Sequence, residues 1–167
     1  ADERIREDYL RILRFFRFFA RFGAGAPDPD TLDAIARNLD GLSKLSSERI
    51  THEVLAPLAL PDPSVSIGLM QQTGVLTAVL PGADARYLAP FIHVEALLGL
   101  EPDPVSRLAA LGGPAVLAPL RLSKSQSRRI DHLQSESLST LCPAALGAAR
   151  GATPALQVLA LRPPLPS

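Results

Sequence analysis

Apolar residues recur at helical spacing from the start of the chain. Ile5, Tyr9, Ile12, Leu13, Phe16 and Ala20 share one side of a helix expected over residues 2–22. Gly23 and Gly25, then Pro27 and Pro29, predict its end. A second helix is expected from Pro29 or Asp30 to Leu39, with Gly41 as its stop. A third is expected to open at Ser46 or Ser47, with Glu48 in its first turn. It carries Ile50, Glu53, Val54, Leu55 and Leu58, and Pro57 should kink or end it. Beyond Leu60, short apolar segments alternate with Pro and Gly breaks, at 63–73, 74–80, 84–98, 103–111, 114–121, 123–140, 143–150 and 153–161. Asp62 and Asp103, each inside a Pro-Asp-Pro triplet, are expected as N-caps with proline in the first turn. No run of alternating β-branched residues is long enough for a strand. The expected fold class is all-α with no β-sheet, divided into a helical unit over 1–60 and a helical remainder over 61–167.

The first helix has an unusual second face. Opposite its apolar side stand Arg4, Asp8 and Arg11, then Phe15, Phe18 and Phe22. A surface helix is polar on that side. Three phenylalanines there predict a second packing partner and, in this chain alone, an exposed apolar patch. Asp8 and Arg11 stand three residues apart, so their side chains are neighbours. As an intrahelical ion pair they would contribute a few tenths of a kcal/mol. Their chemistry admits a second use. An ionised Asp only accepts hydrogen bonds, and Arg only donates them, in a planar fork. Cytosine and adenine each present an exocyclic amino donor beside a ring-nitrogen acceptor, and so complement such a pair. Guanine and uracil present a carbonyl beside an N–H, and would set acceptor against acceptor. Polar groups left mispaired are what give such sites their discrimination.

Composition narrows the classes. The chain has 167 residues, enough to bury roughly 70% of the surface its unfolded form exposes. Its 17 basic and 17 acidic residues balance, so a basic surface can arise only from clustering. Six of the 15 arginines and six of the eight aromatic residues lie within the first 22 positions. A single cysteine, Cys142, excludes an internal disulfide framework and any multi-thiolate metal site. His52, His93 and His132 are far apart in sequence and leave little room for a histidine-built metal site. No apolar run approaches the ~20 residues that span a bilayer, and the N-terminus is charged, unlike a signal peptide. The expectation is a cytoplasmic protein without a membrane partner.

The segment Arg4-Ile5-Arg6-Glu7-Asp8-Tyr9-Leu10-Arg11-Ile12-Leu13-Arg14-Phe15-Phe16-Arg17-Phe18 resembles the neck-helix motif of bacterial class II tRNA nucleotidyltransferases, the CCA-adding enzymes, and of their poly(A) polymerase relatives. The family pattern is R-I-x-E-D-x-L-R-x-L-R-x-x-R-F, with E-D-x-x-R as its nucleotide-selecting core. Leu45-Ser46-Ser47-Glu48-Arg49-Ile50, then Glu53, is similar to the family's L-S-x-E-R-I-x-x-E segment. Gly74-Val75-Leu76 and Leu80-Pro81 resemble its G-V-L…L-P stretch. The likeness is strong over 1–82, looser over 103–111, and departs at Pro57 and at 123–129.

The resemblance implies a neck-like unit with an RNA-binding region over 1–60 and a body and tail over 61–167. It assigns Asp8 and Arg11 to the templating of incoming CTP or ATP, Glu7 to the orientation of Arg11 or the helix, and Arg4 to a place near the nucleotide or the head. It implies attack by the tRNA 3′-hydroxyl on the α-phosphate with release of pyrophosphate, and Mg²⁺ held by a catalytic head with a Gly-Gly turn and a D-x-D pair. A Gly-Gly turn followed by a D-x-D pair does not occur among these 167 residues. The expectation is therefore a fragment without catalytic or metal-binding residues, inactive alone, whose partners are that head, CTP and ATP, and the tRNA acceptor stem. A poly(A) polymerase and a stand-alone helical RNA-binding or scaffold module stay open as alternatives.

Other constellations are weaker. Asp28-Pro29-Asp30 has the letters of a metal pair but follows a Gly/Pro loop, and reads as a helix start. Asp131-His132 has no partner His/Asp pair, Gly112-Gly113-Pro114 lacks the lysine of a phosphate loop, and Cys142 reads as a small buried side chain. Arg121, Lys124, Arg128 and Arg129 form the basic cluster outside the first helix. It reads either as a solvated helix face or as a contact for tRNA phosphates.

Overall fold

The computed structural model describes residues 2–23, 25–137, 156 and 161. All regular structure among them is helical. The segments expected over 143–150 and 153–161 lie outside the described residues, save Leu156 and Leu161, and so does Cys142.

The helix expected over 2–22 is two helices, α1 (Asp2–Glu7) and α2 (Leu10–Phe22). The interruption at Asp8 and Tyr9 has a local cause. Asp8 Oδ1 accepts a hydrogen bond from the Leu10 N–H at 3.1 Å. The Arg11 and Ile12 N–H groups donate only three residues back, to the Asp8 and Tyr9 carbonyls, at 3.0 and 3.1 Å. An Asp that draws backbone donors to itself favours a helix start over a helix interior.

α3 (Pro29–Arg37) opens as expected on Asp28, whose carboxylate accepts from the Thr31 N–H and hydroxyl. It stops before Leu39, and a 3₁₀ turn (Leu39–Lys44) runs straight through Gly41. Gly41 is therefore no helix stop. A Cβ at this position would overlap the Tyr9 ring, so the glycine permits a close approach of the turn to the α1–α2 junction. α4 (Ser47–Leu58) starts on the Ser46 cap and ends one residue past Pro57. Then follow α5 (Ser64–Gln72), α6 (Val75–Val79), a 3₁₀ turn (Ala85–Tyr87), α7 (Leu88–Leu97), α8 (Pro104–Leu111), α9 (Pro114–Leu117) and α10 (Lys124–Ser137). Asp103 caps α8 through the Ser106 N–H, as expected. Asp62 stands one residue further out than a cap and accepts from the Ser64 N–H at 2.9 Å, with Pro63 between them. The start of α10 is a reciprocal pair: Ser123 Oγ accepts from the Gln126 N–H, and Gln126 Oε1 accepts from the Ser123 N–H.

α2 lies at the centre, packed on α4 and α5. Leu10, Ile12, Leu13 and Phe16 are buried there, and the Ser66 hydroxyl on α5 donates to the Phe16 carbonyl at 2.7 Å. The buried apolar cluster continues through Leu42, Leu58, Ile67, Leu76, Leu88 and Leu108 to Ile130. It crosses residue 60 without a break.

A buried ion pair sits inside this core. Arg107 on α8 is 1% exposed and donates through Nε to Glu95 Oε2 on α7 at 2.9 Å. Its other donors reach the Leu58 carbonyl at 3.0 Å, the Pro61 carbonyl at 3.0 Å and the Leu60 carbonyl. The guanidinium thereby satisfies carbonyls freed where Pro57 ends α4. Its planar fork suits several acceptors in one plane.

Two outcomes test this packing. Glu95→Ala leaves the Arg107 charge buried without its partner and should cost about 3–5 kcal/mol in urea unfolding of the chain. Arg121→Ala is the near-neutral control, since its partner Glu48 is exposed. Gly41→Ala should cost about 1–3 kcal/mol through overpacking. In a Tyr9→Ala background that cost should fall by more than half. Equal costs in the two backgrounds would contradict the contact.

Candidate functional site

α1, the α1–α2 junction and α2 carry the residues singled out on the second face. Asp8 and Arg11 do not pair with each other. Asp8 Oδ1 holds the Leu10 N–H and also Arg49 Nη2, at 3.3 Å, from the first turn of α4. Oδ2 of Asp8 takes no hydrogen bond among the described residues. Arg11 Nη1 lies 3.2 Å from Glu7 Oε2, one turn earlier. Glu7 therefore tethers Arg11, while Nε and Nη2 of Arg11 make no hydrogen bond among the described residues. Both side chains stay partly open to solvent, Asp8 at 32% and Arg11 at 44%. The intrahelical Asp-x-x-Arg ion pair is thus not what forms. Each residue is held from behind by a third residue, leaving one free acceptor and two free donor positions.

Arg4, Glu7 and Arg11 line one open cleft of about 520 Å³, together with Ile5, Phe15, Thr31 and Ile35. Asp8 is not among its lining residues; its carboxylate is turned to Arg49. Further along α2 the phenylalanines divide. Phe15 is only half-buried, edge-on to Phe16 at 5.1 Å and stacked on Phe19 at 6.1 Å. It joins the packed side and not the exposed patch expected of it. Phe18 and Phe22 are 52% and 70% exposed and stack on each other at 6.4 Å, with the Arg17 and Arg21 guanidinium groups over their rings.

Glu53, one turn after Arg49 on α4, is buried at the α2 contact. Its Oε1 lies 3.2 Å from Arg17 Nη1 and 3.8 Å from Arg14 Nε, while Oε2 is buried without a hydrogen-bond partner among the described residues. Sequence reading placed Arg49 and Glu53 in a family-like segment without giving either a task. Their spacing of four puts them on one helix face, but nothing in the sequence pairs that face with α2.

The basic cluster does not stay together as one open patch. Arg129 Nη2 meets Asp103 at 2.7 Å, and Arg121 Nε approaches Glu48 at 3.7 Å. Lys124 and Arg128 are exposed and have no ion-pair partner among the described residues. Among the described residues, no three His, Cys, Asp or Glu side chains converge as metal ligands. Asp28 faces the Thr31 N–H as a helix cap. No described helix is long and apolar enough to cross a membrane.

The family model described as a probable RNA and SrmB-binding site of polymerase A matches residues 26–87. The human CCA tRNA nucleotidyltransferase 1, mitochondrial, is 41% identical over 114 residues, covering 66% of this chain and 26% of that protein. The CCA-adding enzyme of Geobacillus kaustophilus is 41% identical over 86 residues, covering 52% of this chain and 21% of that protein. The chain thus spans about a quarter of the length of these curated relatives. In fold it is similar to the CCA-adding enzyme solved with ATP (TM-score 0.67, 17% identity, 99% of this chain and 46% of that one). It is equally similar to the Thermotoga maritima CCA-adding enzyme complexed with tRNA (TM-score 0.68, 17% identity, 98% and 46%). With its two motifs folded against each other on α2 and α4, the chain is similar over 66% of its length to a CCA tRNA nucleotidyltransferase and shares the fold of CCA-adding enzymes.

Proposed function

We propose that this chain is the nucleotide-selecting and tRNA-binding part of a longer nucleotidyltransferase that adds C, C and A to tRNA 3′ ends. The observation that carries the reading is the pair of restrained, half-open side chains. Asp8 offers Oδ2 as an acceptor and Arg11 offers Nε and Nη2 as donors, each held by another residue. An acceptor beside a donor matches the amino group and ring nitrogen of cytosine or adenine. It mispairs with the carbonyl and N–H of uracil or guanine. Arg4, on the rim of the cleft shared with Glu7 and Arg11, stands where an anionic part of a nucleotide or the head would meet a cation. Holding both side chains before the nucleotide arrives lowers the ordering cost of binding.

The family's chemistry calls for Mg²⁺ at the triphosphate. The described residues do not fit such a site, since no carboxylate cluster forms among them. We assign the metal ligands and the phosphoryl transfer to a head outside this chain. The exposed Phe18 and Phe22 rings are assigned to contact with that head. The match over 26–87 and the fold shared with a tRNA-bound relative support an RNA partner. Lys124 and Arg128 are the exposed residues of the basic cluster that have no ion-pair partner among the described residues, and we assign them to phosphate contact. The polymerase A description of that match also keeps a poly(A) polymerase in view. Sequencing the product made from a CTP and ATP mixture separates the two. A Gly-Gly turn and D-x-D pair encoded upstream of Ala1 would support the reading over a stand-alone RNA-binding or scaffold module.

Two outcomes follow for the intact protein. Asp8→Ala and Arg11→Ala should each lower kcat/KM for CTP and ATP by about 10- to 150-fold, the worth of a hydrogen bond to a charged group. Discrimination against UTP and GTP should fall with it. Glu7→Ala, which frees Arg11 without removing it, should have a smaller effect. Single-turnover incorporation of all four nucleotides measures this. A lower melting temperature with base preference intact would make the pair structural. For RNA, the Lys124→Ala/Arg128→Ala double variant should reduce the slope of log affinity against log salt by about 1–2. An unchanged slope would place the phosphates elsewhere.

A further inference from the structure

The segment Leu45-Ser46-Ser47-Glu48-Arg49-Ile50, with Glu53, takes no part in base reading as described so far. Yet two of its side chains grip α2 at the site. Arg49 and Glu53 lie four residues apart on α4. Arg49 Nη2 donates to Asp8 Oδ1 at 3.3 Å, and Glu53 Oε1 holds Arg17 at 3.2 Å and Arg14 at 3.8 Å. Glu53 thereby fixes how far along α2 the start of α4 reaches, and Arg49 meets Asp8 at that register.

The Asp8 carboxylate turns about χ2, a soft, roughly two-fold torsion. A single donor, the Leu10 N–H at 3.1 Å, would leave it a hinge. Arg49 brings a second donor to the same oxygen from a different helix, 41 positions along the chain. Two donors on Oδ1 set the carboxylate plane and keep Oδ2 as the open acceptor. Glu7 does the matching task for Arg11 from within the first helical segment, at 3.2 Å.

We propose that Arg49 is a positioning residue for base selection, aiming the Asp8 carboxylate from α4 so that one oxygen stays free for the amino group of cytosine or adenine. This inference rests on the base-reading role of Asp8. Arg49 acts through Asp8 and touches no nucleotide. It is half-exposed, so the contact is screened by solvent and its effect is smaller than the loss of Asp8 itself.

The test is a double-mutant cycle in the intact nucleotidyltransferase that carries this chain. Wild type, Arg49→Ala, Asp8→Ala and the double variant are compared by single-turnover incorporation of CTP, ATP, UTP and GTP. Arg49→Lys serves as the conservative variant. Arg49→Ala should lower discrimination between CTP or ATP and the wrong bases by about 3- to 5-fold, the upper end of the scale of an exposed charge pair. Arg49→Lys should recover part of it, because Lys keeps the charge and one donor but lacks the fork. In the Asp8→Ala background, Arg49→Ala should change discrimination less than about two-fold. Three results would overturn the inference: all four rates falling by one common factor, a discrimination loss of equal size in both backgrounds, or no change at all. If Asp8→Ala leaves base preference intact, the base-reading proposal fails first. If Asp8→Ala abolishes preference while Arg49→Ala preserves it, only the positioning role fails. Melting temperatures of each variant separate either outcome from simple misfolding, and Arg49→Lys keeps the test open if Arg49→Ala unfolds.

Discussion

Glu53 is buried where α4 packs on α2, with its Oε1 between Arg17 at 3.2 Å and Arg14 at 3.8 Å. Taking a carboxylate out of water costs several kcal/mol, and the neighbouring arginines offset that only when they come close. The charge therefore favours one register of α2 against α4. A slide of one turn, about 5.4 Å, would leave Glu53 buried without its partners. Apolar packing of Leu13 and Phe16 would tolerate small slips far better, because it is non-directional. The position of Asp8 and Arg11 relative to α4 depends on this one carboxylate. Its second oxygen has no hydrogen-bond partner among the described residues, which costs stability.

A second polar knot holds the other end of α4. Arg107 collects the carbonyls of Leu58, Leu60 and Pro61 and binds Glu95. Pro57 and the Pro61–Pro63 stretch deprive this corner of backbone donors, since proline has no N–H. The guanidinium supplies five donors at the point where the backbone is short of them. With Glu53 near its middle and Arg107 at its end, α4 is a fixed rod. Rigid elements of this kind hold a site more precisely than loops do.

How much of this is legible in the sequence follows the range of each interaction. Starts at Asp28, Ser46 and Asp103 can be read because a cap bonds only two or three residues ahead. The all-α class follows from periodicity alone. The break at Asp8 and Tyr9 is hidden in an unbroken helical pattern, although its cause, the Asp8 carboxylate accepting from the Leu10 N–H, is local. Gly41 reads as a stop because its real constraint, the Tyr9 ring, lies 32 positions away in sequence. The acceptor and donor of the site are visible as residue types three apart. Their supports differ: Glu7 lies one turn before Arg11, while Arg49 comes from another helix. The cluster at 121–129 fails as a single patch for the same reason, because Asp103 and Glu48 arrive from distant segments.

The central claim is that Asp8 reads an exocyclic amino group, and it can be tested by removing that group from the substrate. The measurement is the single-turnover rate of the intact enzyme with CTP and with the 2-pyrimidinone riboside triphosphate, which is CTP without its amino group, for wild type and Asp8→Ala. Wild type should prefer CTP by about 10- to 150-fold, and Asp8→Ala should treat the two nucleotides alike. A preference of the same size in Asp8→Ala would place the partner of the amino group on another residue and contradict the account.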